Sequence, residues 1–92
     1  MVTRYPNVLQ KLLEAMEGFR ARHVPLQELQ NLLYHAANAI TLPEESSLSE
    51  MLDSAGERLE MIRFTVEPED VFAEAEAVVQ TLEARIRNAI HS

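Results

Sequence analysis

The sequence predicts an all-α protein, an antiparallel four-helix bundle with short loops and no sheet. Three observations predict it. Pro6, Pro25, Pro43 and Pro68 each stand at the head of an amphipathic stretch, as suits a residue tolerated in the first helical turn and disruptive deeper in. Behind each proline, apolar residues recur at spacings of three and four, the period of one helix face. The links between stretches are a few residues long, which makes consecutive helices antiparallel neighbours. At 92 residues the chain makes one domain that buries roughly 60 to 65% of its unfolded surface.

The first helix, about residues 6–21, carries Val8, Leu9, Leu12, Leu13, Met16 and Phe19 on one face. The second, about 25–40, repeats the pattern with Leu26, Leu29, Leu32, Leu33, Ala36, Ala37 and Ile40. The start of the third is open between two capping boxes, Thr41 with Glu44 and Ser47 with Glu50, which place the first helical residue at Leu42 or at Leu48. Its inward face is Leu48, Met51, Leu52, Ala55, Leu59, Ile62 and Phe64. The fourth, from Pro68 to about Ile90, sets Phe72, Val79 and Ile86 in one heptad register and Ala75, Leu82 and Ala89 in the other. Val71, Val78 and Ile90 widen that stripe, which suits a bundle core better than a two-stranded seam.

Between the third and fourth helices, "RFTVEPED" contains three residues of high strand propensity, Phe64, Thr65 and Val66. No other β-rich run exists to pair with it, so it predicts a tight corner. Glu67, held out of helical angles by Pro68, is the expected N-cap. Val66 is expected to pack on Val71 as a hydrophobic staple, with Phe64 also turned inward. Glu69 and Asp70 fall in the first turn, where carboxylates favour the positive end of the helix dipole by about 0.3 to 1 kcal/mol each.

Composition narrows the function. Apolar residues make up 47% with no tryptophan, so the core is expected to be aliphatic. The absence of cysteine rules out a disulfide framework, a thiolate nucleophile or a cysteine-ligated zinc. No apolar run reaches the roughly 18 residues that span a bilayer, and "MVTRYPNVLQ" has no secretory apolar stretch. A cytoplasmic protein without membrane association is expected. A net charge of −7 argues against nucleic acid, whose phosphates call for Lys and Arg.

Catalytic and metal motifs are not in evidence, and neither an enzyme nor a cofactor is expected. None of His23, His35 or His91 follows an acid by three or four positions, the spacing that dinuclear centres in helical bundles use. Ser46, Ser47, Ser49 and Ser54 have no glycine elbow or phosphate loop around them, and Ser47 reads as a cap. "LQKLL" at 9–13 and "LQNLL" at 29–33 match a leucine-rich docking motif, a pattern that leucine-rich core helices generate by periodicity alone. Gly18 and Gly56 lie inside expected helices at a cost of about 1 kcal/mol each relative to alanine. Gly56, beside Ala55, suits close helix approach, and either glycine could instead mark a frayed turn.

The charge is uneven. Residues 44–76 hold eleven acids against Arg58 and Arg63, a local charge of −9, while the segments on either side are each +1. Glu44, Glu45, Glu50, Asp53, Glu57, Glu60, Glu67, Glu69, Asp70 and Glu74 are the candidate partner-binding residues, with Glu76 at the segment's edge. As a solvated surface they need no function. As a docking surface they would steer a basic protein partner. Arg58 and Arg63 are spaced to pair within the segment.

The run "LDSAGERLEMIRFTVEPEDVFAEAEAVVQTLEARI" resembles the C-terminal half of small acidic helical proteins found among bacterial toxin-immunity and accessory proteins. "VPLQELQNLLYHAANAI" is similar to their short leucine-patterned helix, and "LEMIRFT" followed by an acidic turn is the most particular piece. The resemblance implies an inhibitor of a cognate toxin, commonly a basic nuclease, that covers the active site or a nearby surface with acidic residues. It transfers no individual residue. The expected function is therefore a non-catalytic protein-binding module, an immunity or antitoxin-like inhibitor docking a basic partner through residues 44–76. The alternative is a self-associating structural or adaptor bundle, a homodimer built on the leucine faces.

Overall fold

The computed structural model describes residues 3–91, and among them there are four α-helices and no strand. α1 spans Pro6–Arg20, α2 Leu26–Ala39, α3 Ser46–Thr65 and α4 Pro68–His91, with a 3-10 turn at Pro43–Glu45 leading into α3. Each helix packs on its two neighbours around a square, α1 on α2, α2 on α3, α3 on α4 and α4 back on α1, with α2 and α3 the most extensive pair. Cross-helix bonds fix the directions. Arg63, near the end of α3, donates to Gln30 near the start of α2 at 2.7 Å, and Ser49, near the start of α3, donates to the Ala37 carbonyl at 2.7 Å. The Thr3 amide reaches the Ala89 carbonyl at 3.2 Å, so the chain before α1 lies beside the end of α4. The result is an up-down-up-down bundle. Its long dimension of 39 Å matches the roughly 36 Å expected of the 24-residue α4.

The core is aliphatic and drawn from all four helices, with Leu9, Met16, Leu29, Leu33, Leu52, Leu59, Val79 and Ile86 fully buried. The expected faces of the first and fourth helices are the buried or partly buried ones. On α2, Leu32 is 37% exposed instead of buried, and Gln30 takes an inward place, accepting the bond from Arg63.

Two local expectations are corrected. Phe64 is 73% exposed, because α3 continues as helix through Thr65 and its inward register runs Leu52, Ala55, Leu59, Ile62, Val66 at alternating steps of three and four. Phe64 falls off that register. Val66 and Val71 both pack on the core, as a staple at the corner requires. Neither capping box forms: Ser47 lies within α3, and neither Leu42 nor Glu45 makes a side-chain cap bond. The chain instead enters α3 through the 3-10 turn that Pro43 opens.

The end of α1 carries the one positive φ among the described non-glycine residues, Arg22 at 64°. The His23 amide bonds to the Gly18 carbonyl at 2.8 Å and the Arg22 amide to the Phe19 carbonyl at 3.0 Å, the paired bonds of a Schellman ending, where glycine is the usual occupant. Arg22 holds this position while its guanidinium lies 3.9 Å from the centroid of the Phe72 ring, which itself stacks on Phe19 at 5.1 Å. Left-handed angles cost a side-chain residue about 1 to 2 kcal/mol, and an exposed cation–π contact returns about 0.5 to 1 kcal/mol. Arg22→Ala keeps the strain and loses the contact. Arg22→Gly loses both, so it should be the more stable variant by about 1 kcal/mol, opposite to the order inside a helix. Urea midpoints of the two variants check this; an alanine variant equal to or above the glycine variant would contradict the strained ending.

Candidate functional site

Folding divides the acidic segment. α3 is 20 residues long, about 30 Å at the helical rise, and it separates Glu44 and Glu45 from Glu67, Glu69 and Asp70. The ten candidate acids therefore occupy three places rather than one surface.

At the α2–α3 link, Glu44 is exposed but Glu45 is half-buried and engaged. Its carboxylate accepts the Thr3 hydroxyl through one oxygen and the Arg4 amide at 3.0 Å through the other. Alongside, the Tyr5 hydroxyl accepts the amides of Thr41 and Leu42, each at 3.2 Å. Its hydroxyl contact with Thr41 is the main cause that lowers the Tyr5 phenol below its ordinary value. Glu45 thus fastens the start of the chain to the link, and a partner could use it only by undoing that latch.

The middle group lies along α3. Glu50, Asp53, Glu57, Glu60 and Phe64 follow one another at steps of three, four, three and four, and all are exposed. That spacing lines them into a single stripe. Its border toward α2 is Tyr34, whose ring rests where a β-carbon on Gly56 would stand 2.7 Å away. Partial burial pushes the Tyr34 phenol upward, and the charges of Glu60, Glu57 and Asp53 push it the same way. The third group, Glu67, Glu69, Asp70 and Glu74, is exposed at the corner and over the first turns of α4.

The bases expected to pair within the segment do not. Arg63 donates to Gln30 and lies 5.2 Å from the Phe64 ring centroid, and the ion pairs among the described residues are Arg20 with Glu83 at 3.0 Å, Arg87 with Glu83 at 3.2 Å and Arg87 with Glu17 at 3.6 Å. The first and third of these stitch α1 to α4, and Arg87 with Glu83 lies within α4. The eleven acids of the segment are left without an ion-pair partner among the described residues.

Two grooves accompany these charges. Between α3 and α4 runs an open groove of about 1020 Å³ with Met51, Met61, Ile62, Val66, Val78 and Leu82 among its apolar lining, Glu50, Glu57 and Glu74 on its walls, and Arg58 and Arg85 also facing it. Met61 is 64% exposed. Between α1 and α2 a smaller hollow of about 190 Å³ is lined by Val8, Leu12, Leu32 and Ala36, with Lys11 and His35 at its edge. The leucine-rich docking motifs are spent mostly on the core: Leu9, Leu12, Leu13, Leu29 and Leu33 are buried, and Leu32 alone of the six leucines is exposed, at 37%.

Sequence reasoning missed Tyr34 and the outward Phe64 and Met61. The helical phase of α3, followed strictly from Leu52, would have found the last two. Among the described residues no group of three or more histidines and acids stands close enough to hold a metal ion, and no helix is long and apolar enough to cross a membrane. No protein-family model matches the chain, and no curated protein or solved structure matches it either.

Proposed function

We propose that this protein is a non-catalytic binding module that docks a basic partner protein through the acidic stripe of α3, acting as an immunity or antitoxin-like inhibitor. The observation that carries the reading is the stripe itself: four exposed carboxylates, Glu50, Asp53, Glu57 and Glu60, with no ion-pair partner among the described residues and ending on an exposed phenylalanine. Long-range charge speeds encounter with a basic surface, and an aromatic anchor supplies the short-range apolar contact on which interfaces concentrate their affinity.

The test neutralises the stripe without changing its shape, as Glu50→Gln, Asp53→Asn, Glu57→Gln and Glu60→Gln together, against a control of Glu14→Gln with Glu28→Gln. Affinity for a basic protein co-purified with the chain from its source cell is measured by calorimetry at low and high salt, after the melting curves are matched. The stripe variant should bind about tenfold more weakly or worse and respond less to salt, because fewer charge pairs remain to be screened. Equal losses from both sets, or none from either, would return the stripe to ordinary surface. A second reading, self-association, draws on the apolar hollow beside the exposed Leu32, and predicts a mass that grows with concentration.

A further inference from the structure

We infer that the groove between α3 and α4 seats one helix of the basic partner, an amphipathic helix lying with its N-terminal end at the Val66–Glu67 corner; this deepens the docking reading above and rests on it. The groove runs from Ser47 to Val66 along α3 and from Arg85 back to Glu74 along α4. At the helical rise the α3 wall accommodates about 18 to 20 residues and the α4 wall about 12 of them. Its floor is apolar and continuous with the core, while the exposed Met61 offers a flexible thioether that adapts to differently shaped side chains.

Charge selects the occupant. A second copy of this chain would bring the same acidic excess, −7 overall, and an anionic membrane or nucleic acid would be repelled for the same reason. A helix with basic flanks meets Glu50 and Glu57 on one wall and Glu74 on the other. Charge also selects direction. α3 and α4 are antiparallel, so their dipoles oppose along the groove and the side chains decide its polarity. The corner end gathers Glu67, Glu69, Asp70 and Glu74, whereas at the far end Arg85 offsets Glu50 and leaves little net charge. The positive N-terminal end of a bound helix belongs at the first and its negative C-terminal end at the second. Arg58, midway, calls for an acceptor near the centre of the occupant.

The probe is a synthetic amphipathic peptide of about 18 residues, five turns at the helical rise, with leucines at helical spacing and lysines weighted to its first half. A scramble of the same composition is the comparison. Binding to the full chain is read by fluorescence anisotropy for the parent, for Ala77→Trp, which fills the groove from an exposed position, and for Ala84→Trp, exposed on the same helix but outside it. The ordered peptide should bind, lose about tenfold or more on Ala77→Trp, equivalent to 1.4 kcal/mol, and be unaffected by Ala84→Trp. Equal binding of the scramble, or indifference to Ala77→Trp, would overturn the groove and leave acidic docking standing. No binding of either peptide would overturn both. A nitroxide on the peptide's N-terminus should broaden amide resonances around Val66 and Glu74, and broadening around Arg85 instead would overturn the direction.

Discussion

Leu59→Ala should lower the free energy of unfolding by about 2 to 5 kcal/mol, the range for a buried leucine truncated to alanine. A domain of this size holds roughly 5 to 14 kcal/mol in all, so a large share of its stability is at stake. Leu59 is 0% exposed at the centre of α3, enclosed where its neighbours cannot close in without moving helices. Leu82→Ala on α4 should fall toward the lower part of the same range. Leu82 is nearly as buried, at 4%, but it also borders the α3–α4 groove, so the space it vacates opens to solvent and need not persist as a void. Urea denaturation followed by circular dichroism gives both values from the midpoints, with unchanged slopes as the check on two-state behaviour. A loss below about 1 kcal/mol at Leu59 with the fold intact would mean that α3 does not hold the central place described.

Gly56→Ala should destabilise although alanine is the better helix former by about 1 kcal/mol. The added β-carbon would stand 2.7 Å from Tyr34 Cε1 and 3.1 Å from both Cδ1 and Cζ, well inside the 3.5 to 4.0 Å of comfortable carbon contact. Overpacking of this kind costs about 1 to 3 kcal/mol, which exceeds the gain in propensity. Tyr34→Ala removes the obstacle, and in that background Gly56→Ala should become stabilising. The reversal of sign is the diagnostic result, a coupling of about 1 to 3 kcal/mol between the two positions. A gain from Gly56→Ala in both backgrounds would show that Tyr34 does not set the α2–α3 distance.

Much of the fold was legible because local signals agreed with one another. Pro6 and Pro68 are the first residues of α1 and α4, Pro25 immediately precedes α2, and Pro43 opens the turn before α3. The expected core positions of α1 and α4 needed only their periodicity. Where reading failed, a local preference had been set against the helical phase or a distant partner. The strand propensity and hydrophobicity of Phe64 suggest an inward place, yet the phase set by Leu59 and Ile62 points to Val66. The capping boxes were chemically complete but lost to the 3-10 turn that Pro43 opens between their two cap residues.

The candidate site was legible as charge and illegible as shape. Eleven acids in one stretch of chain are a fact of sequence, but their division among a link, a stripe and a corner depends on a rigid helix holding the two ends of the stretch apart. Glu45 could not have been set aside without its bonds to Thr3 and Arg4, forty-two and forty-one positions away. Tyr34 carries no motif at all. Its place is settled by a glycine on the opposite helix.

The hydrogen bond from Thr3 to Ala89 has a practical corollary for handling the molecule. The described residues begin and end at one end of the bundle, and the Val66–Glu67 corner sits at the other, about 30 Å or more away along α3 and α4. A fluorophore, a tether to a sensor chip or a fused domain attached through either flank points away from the corner. Anchored that way, the chain stands upright, with the acidic mouth of its groove facing the bulk solution.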